Sequence, residues 1–271
     1  VCKPDYSFED ITLIQNIIKD SSQSTLLKYY AKSTASFKTD GSIVTEADIE
    51  MQKAMDVALK KHYPEILLLS EELTGPEQIS VLNSNQDYWC LDPVDGTNNY
   101  HCTLPLFSVS LALISQNEIV LAIIYDPMRD EFFSAIKGQG MWVNDHKTSR
   151  PEQPNTLKQS IAFIDFKRLS KPIKLSLVEQ APYKSQRNVG SCALEWAWLA
   201  AGRVQLLLHG KEKYWDYAAG VLLNEEAGGQ SQTLESEAVF NQSLDSRSVV
   251  AASTVELFEQ WTDCIQKTTA S

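Results

Sequence analysis

Apolar and polar positions along the chain mark out its elements. Phe8, Ile11, Ile14, Ile17 and Ile18 fall on one helical face, which Leu26 and Leu27 extend. Apolar residues spaced three and four apart predict a core-facing helix. Positions 38–42 (K-T-D-G-S) are turn-like. Thr45 is placed to cap a second helix running through Asp48, Ala54, Met55, Ala58 and Leu59 and ending near Pro64. Apolar runs at 66–69 and up to Leu91 read as buried strands, joined by a polar loop over 74–86. The runs 107–115 and 118–125 form a hairpin about Gln116-Asn117, and 131–136 adds a third strand. Gly138-Gln139-Gly140 reads as a turn, because Val143 stands where a dinucleotide fingerprint needs its third glycine.

After Arg150 the pattern changes. Pro151 and Pro154 lie in a polar linker. Strands are predicted at 161–166, 204–209 and 248–252, and helices over 170–180, 191–201, 216–227 and 255–265. Gly202 and the pair Gly228-Gly229 stop two of these helices. Alternating strands and helices predict α/β layering. We expect two halves, 1–150 and 151–271, in one compact unit.

Composition narrows the function. A chain of 271 residues, 43% of them hydrophobic, can bury a large core. Its net charge is −11, from 35 acidic and 24 basic residues, with no Lys/Arg block. That argues against a basic patch for nucleic acid or an anionic membrane. The apolar runs are too short to span a bilayer, and V-C-K-P-D-Y has no apolar signal core. Cys2, Cys90, Cys102, Cys192 and Cys264 form no C-x-x-C pair, and the four histidines have no H-x-x-x-H spacing. The expectation is reduced thiols in a cytoplasmic protein, with neither a disulfide framework nor a zinc site.

The chemistry gathers around W-C-L-D-P-V-D-G-T-N-N-Y, from Trp89 to Tyr100. The strand stops at Asp92-Pro93, and Asp95-Gly96-Thr97 follows. Asp-Pro and Asp-Gly are also ordinary turn dipeptides. Glu71 leaves the end of the 66–69 strand, where an isolated carboxylate would simply be solvated. Asp216 opens a helix beside Ala218, Ala219 and Gly220. It reads as a routine N-cap, although the small residues admit a close backbone or ligand. Asp48, early in its helix, complements the helix dipole. Two like charges about 4 Å apart repel by about 4 kcal/mol at an effective dielectric near 20. Brought together, Glu71, Asp92, Asp95 and Asp216 would therefore need cations. An all-oxygen donor set selects Mg²⁺, Mn²⁺ or Ca²⁺ over zinc or copper. The spacing D-x-x-D-G fits neither an EF-hand loop nor the D-x-D of haloacid-dehalogenase phosphatases, and no P-loop is present.

The stretch from Trp89 to Thr97 resembles the first signature of the inositol monophosphatase superfamily. W-D-Y-A-A-G from Trp215 to Gly220, followed by E-A-G-G from Glu226 to Gly229, resembles its second. Ser70-Glu71-Glu72 resembles the family's metal-binding Glu segment, and V-T-E-A-D ending at Asp48 its N-terminal helix start. The resemblance implies a layered αβαβα sandwich of the inositol monophosphatase and fructose-1,6-bisphosphatase type. It implies a Mg²⁺-dependent phosphomonoesterase, with two or three ions per site and Mn²⁺ as a substitute. Glu71, Asp92 and the Val94 carbonyl would hold a first ion, and Asp92, Asp95 and Asp216 a second. Gly96 and Thr97 amides would bind phosphate, while Thr97, linked to Asp48, and Glu71 would orient the attacking water.

Sugar-side contacts would fall on Gly190, Ser191, Cys192 and His209. Inositol-specific members usually carry Glu where this chain has His209, which is either a ligand contact or a strand-end surface residue. The implied substrate is an inositol or related sugar or polyol monophosphate. A 3′(2′),5′-bisphosphate nucleotidase, a histidinol phosphatase and a non-enzymatic metal-dependent regulatory protein are the alternatives. Inhibition by Li⁺ is also implied, and a homodimer is compatible.

Overall fold

Chain alternation within each strand decides which helices cover which face. The computed structural model describes residues 6–30, 35–37, 43–148 and 151–269. The expected turn at 38–42, and Cys2 with the start of the chain, lie outside the described residues.

In the first half, α1 (Phe8–Ser24) and the short α2 (Leu26–Tyr29) precede a two-stranded ladder of β1 (Ala35–Phe37) and β2 (Ile43–Thr45). Next come α3 (Glu46–His62), β3 (Leu67–Ser70), α4 (Gly75–Leu82), β4 (Tyr88–Asp95) and α5 (Thr97–His101). A meander follows: β5 (Ser108–Ser115), β6 (Glu118–Asp126), β7 (Glu131–Ile136), β8 (Gly140–Val143) and β9 (His146–Lys147). Among the described residues β3 to β9 form one sheet in sequence order, parallel only between β3 and β4.

The second half contains β10 (Ile161–Ile164), α6 (Lys171–Gln180), β11 (Ser185–Arg187), α7 (Cys192–Ala200), β12 (Leu206–Glu212), α8 (Tyr214–Glu226), β13 (Gln230–Gln232), β14 (Arg247–Ala252) and α9 (Val255–Thr269). Its strands make a second sheet in the order β11-β10-β12-β14-β13.

Successive strand residues face opposite sides, and the core follows that rule. Trp89 and Leu91 of β4 pack with Ile11, Ile14, Met51 and Met55 of α1 and α3. Tyr88 and Cys90 pack instead with Trp196 of α7 and Leu222 of α8. Leu207 of β12 joins that inner core, whereas Leu206 and Leu208 meet Ile173, Leu257 and Trp261 of α6 and α9. The layers are thus α1/α3, large sheet, α7/α8, small sheet and α6/α9. Strands covered on both faces read as continuous apolar runs, and β5 is buried along its whole length.

The structure corrects several boundaries. Parallel neighbours need a crossover, and the expected loop at 74–86 supplies one as α4. Its Gly and Pro occupy the first helical turn, behind a capping box of Thr74 and Glu77. β4 does not stop at Asp92-Pro93 but continues to Asp95. α8 begins at Tyr214, so Lys213 is the N-cap and Asp216 the third helical residue. The small residues of α8 admit α7: a Cβ on Gly220 would fall 2.2 Å from Trp196 Cγ. Among the described residues no helix is long and apolar enough to cross a membrane.

Candidate active site

Residues three apart on a regular strand face opposite ways. Asp92 and Asp95 escape this because the β4–β5 ladder slips between them, with Asp92 opposite Ser110 and Asp95 opposite Ser108. Pro93 and Val94 form the irregularity, and such bulges re-aim side chains. Both carboxylates then meet Asp216 from α8, each offering an oxygen within 4.8 Å of the others.

Every partner of this triad fixes it further. Val94 N donates to Asp92 Oδ1 at 3.0 Å. Lys213 N donates to Asp216 Oδ2 at 2.8 Å. Asp95 receives the Ser108 hydroxyl at 3.3 Å, the Ser191 hydroxyl, and the amides of Cys192 and Ala193 at 3.2 and 2.8 Å. A carboxylate from the first half therefore caps helix α7 of the second. Gly96 turns the chain from β4 into α5 at φ 94°, where a Cβ would lie 3.1 Å from Leu106 O and 3.2 Å from Ser191 Cβ. Thr97 then opens α5, its hydroxyl 3.2 Å from Asp48 Oδ1 and 3.0 Å from Val94 O. Asp48 is held by the Thr45 amide and hydroxyl at 2.8 and 2.5 Å, closing a capping box at the start of α3.

Glu71, just beyond β3, lines the same cleft, of about 520 Å³, as Asp92, Val94, Asp95, Gly96, Thr97 and Asp216. It is not one of the three carboxylates in the tight group. The electrostatics call for positive charge. Burial, then Glu71, Asp95 and Asp216, raise the Asp92 carboxyl well above its ordinary range. Burial and then Asp95 do the same to Asp216. Burial also raises Asp95, against the hydrogen bonds from Ser191, Ala193 and Cys192. Oxygen-only donors at this spacing could hold Mg²⁺, Mn²⁺ or Ca²⁺.

Adjoining that cleft, Gly190, Ser191, Cys192 and His209 share a smaller recess of about 240 Å³ with Asp165, Glu195 and Asp216. His209 is not a strand-end surface residue: it lies within β12 and is only 5% exposed. Its Nε2 is 3.0 Å from Asp165 Oδ2, and Lys211 N donates to Nδ1 at 3.3 Å. The His209 hydrogen bond is the main reason the Asp165 carboxyl sits below its ordinary range. Lys167, Arg168, Lys213 and Ser246, which the sequence reading missed, also line the larger cleft. The Lys-Arg pair directly after the 161–166 run was their one visible signal. Ser108 and Ser110 were missed too, although hydroxyls alternating in an apolar strand mark them.

The description "Inositol monophosphatase family" matches residues 9–269. The chain is 34% identical over 204 residues to the Nus factor SuhB of Escherichia coli, covering 72% of this chain and 73% of that protein. It is 33% identical over 236 residues to an inositol monophosphatase of Dictyostelium discoideum, covering 82% and 85%. Among solved structures, an IMPase/NADP phosphatase complexed with Mg²⁺ and phosphate shares the fold, with a TM-score of 0.82, 22% identity and 94% of each chain covered. A family match spanning both sheets, joined to an oxygen-only acidic cleft, leads to one conclusion: the chain belongs to the inositol monophosphatase family of phosphatases.

Proposed function

We propose that this protein is a Mg²⁺-dependent phosphomonoesterase acting on an inositol or related sugar or polyol monophosphate. The observation that carries the reading is the Asp92, Asp95 and Asp216 triad sharing one cleft with Thr97, whose hydroxyl reaches the buried Asp48. Asp92, Asp95 and Asp216, with Glu71 and the Val94 carbonyl, would hold two or three ions, and Mn²⁺ would substitute. When bound, magnesium supplies the charge that neutralises the phosphoryl group and acidifies a water molecule.

The chain's own groups do the rest. The first amides of a helix lack intrahelical partners, so those of Gly96 and Thr97 are available to phosphate oxygens. The Thr97 hydroxyl has one proton; given to Asp48, it leaves the oxygen lone pairs to accept from the attacking water. Glu71 holds that water from the other side. Phosphoryl transfer depends on positioning and charge neutralisation, so no Ser or Cys nucleophile is required. Gly190, Ser191, Cys192 and His209 would face the alcohol being released. The halves 1–150 and 151–271 would act as one unit, the first supplying Glu71 and 92–97, the second Asp216.

A phosphate-release screen over inositol, sugar, histidinol and nucleoside phosphates, with and without Mg²⁺, tests this reading. Mg²⁺-stimulated turnover highest on a sugar or polyol monophosphate supports it. Preference for a bisphosphorylated nucleoside or histidinol phosphate would reassign the substrate within the family. The similarity to proteins named Nus factors favours one further reading, a regulatory protein that keeps the fold. Absence of turnover on every ester would favour that reading.

A further inference from the structure

A second cluster lies at the sugar-side recess, and its chemistry differs from that of the triad. Cys192, His209 and Glu212 each offer one ligand atom within 4.8 Å of the others. Cys192 Sγ is 3.8 Å from His209 Nε2, and Glu212 Oε1 is 4.0 Å from His209 Nδ1. The fold makes this group by the same device as the first site. His209 and Glu212 are three apart on β12, and the β12–β14 ladder slips between them. The slip brings onto one side two side chains that a regular strand would separate. At the bend Gly210 passes so close to the 3₁₀ turn Phe166–Arg168 that a Cβ would lie 1.9 Å from Arg168 O.

An independent observation points to a ligand. Glu212 is fully buried, and its Oε2 accepts the Trp196 indole N–H at 2.8 Å. Its Oε1 is buried without a hydrogen-bond partner. Buried carboxylate oxygens are normally satisfied, and leaving one bare is costly. Among the described residues no lysine or arginine forms an ion pair with Glu212 or with its buried neighbour Glu195.

We propose that Cys192, His209 and Glu212 form a second cation site, which selects Zn²⁺ or a similarly soft divalent ion and is separate from the oxygen-only triad. Thiolate, imidazole and carboxylate make a three-ligand zinc set with one open position. Ligands about 2.0–2.3 Å from a tetrahedral zinc stand roughly 3.3–3.7 Å apart; the present ligand atoms lie within 4.8 Å of one another, so binding draws them inward by up to about an ångström. With the ion on Nδ1, the ring nitrogen beside Glu212 Oε1, the Nε2–H is left to Asp165, 3.0 Å away, as the carboxylate that orients a metal-bound histidine. Mg²⁺ prefers oxygen ligands and does not compete well for sulfur. Such a site leaves no short motif in the sequence, because its ligands are dispersed at 192, 209 and 212. If the phosphatase reading holds, an ion here occupies the recess that receives the alcohol and competes with substrate.

The test measures binding, not turnover, so it stands apart from the phosphatase assay. Chelator-stripped protein is saturated with Mg²⁺ and titrated with Zn²⁺ by equilibrium dialysis, and with Co²⁺ by absorption spectroscopy. The intact protein should keep one Zn²⁺ that excess Mg²⁺ does not displace, and show a thiolate-to-cobalt charge-transfer band. Asp92→Asn and Cys102→Ser should retain both properties. Cys192→Ser should lose the band and bind Zn²⁺ at least about tenfold more weakly; His209→Asn should weaken Zn²⁺ binding equally. Circular dichroism checks folding, and Cys192→Ser decides if His209→Asn does not fold. Absence of the band from the intact protein, displacement by Mg²⁺, or equal Zn²⁺ affinity in Cys192→Ser overturns the proposal.

Discussion

The Thr97 hydroxyl lies 3.2 Å from Asp48 Oδ1, joining the first residue of α5 to the third residue of α3. Two helix starts are thereby joined, Thr97 lining the cleft and Asp48 buried behind it. Asp48 Oδ2 is already occupied by Thr45, so Oδ1 is the oxygen left for Thr97. Thr97→Ala is expected to lower kcat about a hundredfold, the scale of a lost proton-positioning group, with KM nearly unchanged. Thr97→Ser should recover most of the loss. Steady-state kinetics on the best ester from the screen decide; a rise in KM at constant kcat would count against the water-positioning role.

Asp92 sits among the charges of Glu71, Asp95 and Asp216. Asp92→Asn removes one of them and keeps an acceptor for the Val94 amide. In chelator-stripped protein this variant should melt at a higher temperature than the wild type. It should also lose the Mg²⁺-dependent rise in Tm and about a thousandfold in turnover. Calorimetry with and without Mg²⁺ reads the first two effects. A wild-type-like Mg²⁺ response in the variant would remove Asp92 from the ion site.

Glu195 gives a stability effect with a defined pH window. Burial raises its carboxyl from the ordinary 4.5 to about 8, against the hydrogen bond from Val189 N. The folded state therefore holds this proton more tightly than the unfolded chain. The contribution is fully present below pH 4.5 and is lost as pH climbs through about 8. Glu195→Gln cannot ionise, so in metal-free protein it should be the more stable at pH 8, with the advantage shrinking as pH falls. Urea titrations across that range test it; a pH-independent difference would contradict the assignment.

Gly220 is required by packing. A methyl group there would collide with Trp196, whose Cγ would lie 2.2 Å away, between the two helices that both sheets share. Gly220→Ala should cost about 1–3 kcal/mol, the range for overpacking a filled core. A smaller ring position, Trp196→Leu, should make the two changes non-additive. Equal effects of Gly220→Ala in both backgrounds would mean that the strain is relieved elsewhere.

The layered fold was legible where burial imposes a period. Ile11, Ile14 and Ile18 repeat at helical spacing because one face meets a sheet, and β5 reads as a solid apolar run because both faces are covered. The acidic triad was legible because Asp92 and Asp95 share one short motif and Asp216 lies in another. α4 was missed because Gly75 and Pro76 were weighed as breakers, whereas a helix tolerates both in its first turn. The burial of His209 and its contacts with Asp165 and Cys192 were invisible, since they depend on pairing between β10 and β12 and on the docking of α7. Local patterns report local burial; contacts made by distant segments leave little trace in either segment alone.

The capping of α7 by Asp95 bears on how the protein is made. The groups that receive this carboxylate lie 96 to 98 residues further along the chain. Asp216 follows later still. Synthesis proceeds at about 5–20 residues per second, so for several seconds a growing chain carries Asp92 and Asp95 without the helix that restrains one and the carboxylate that completes the triad. The triad is therefore incomplete until the last third of the chain leaves the ribosome. Any early release yields a fragment in which Asp92 and Asp95 never meet Asp216.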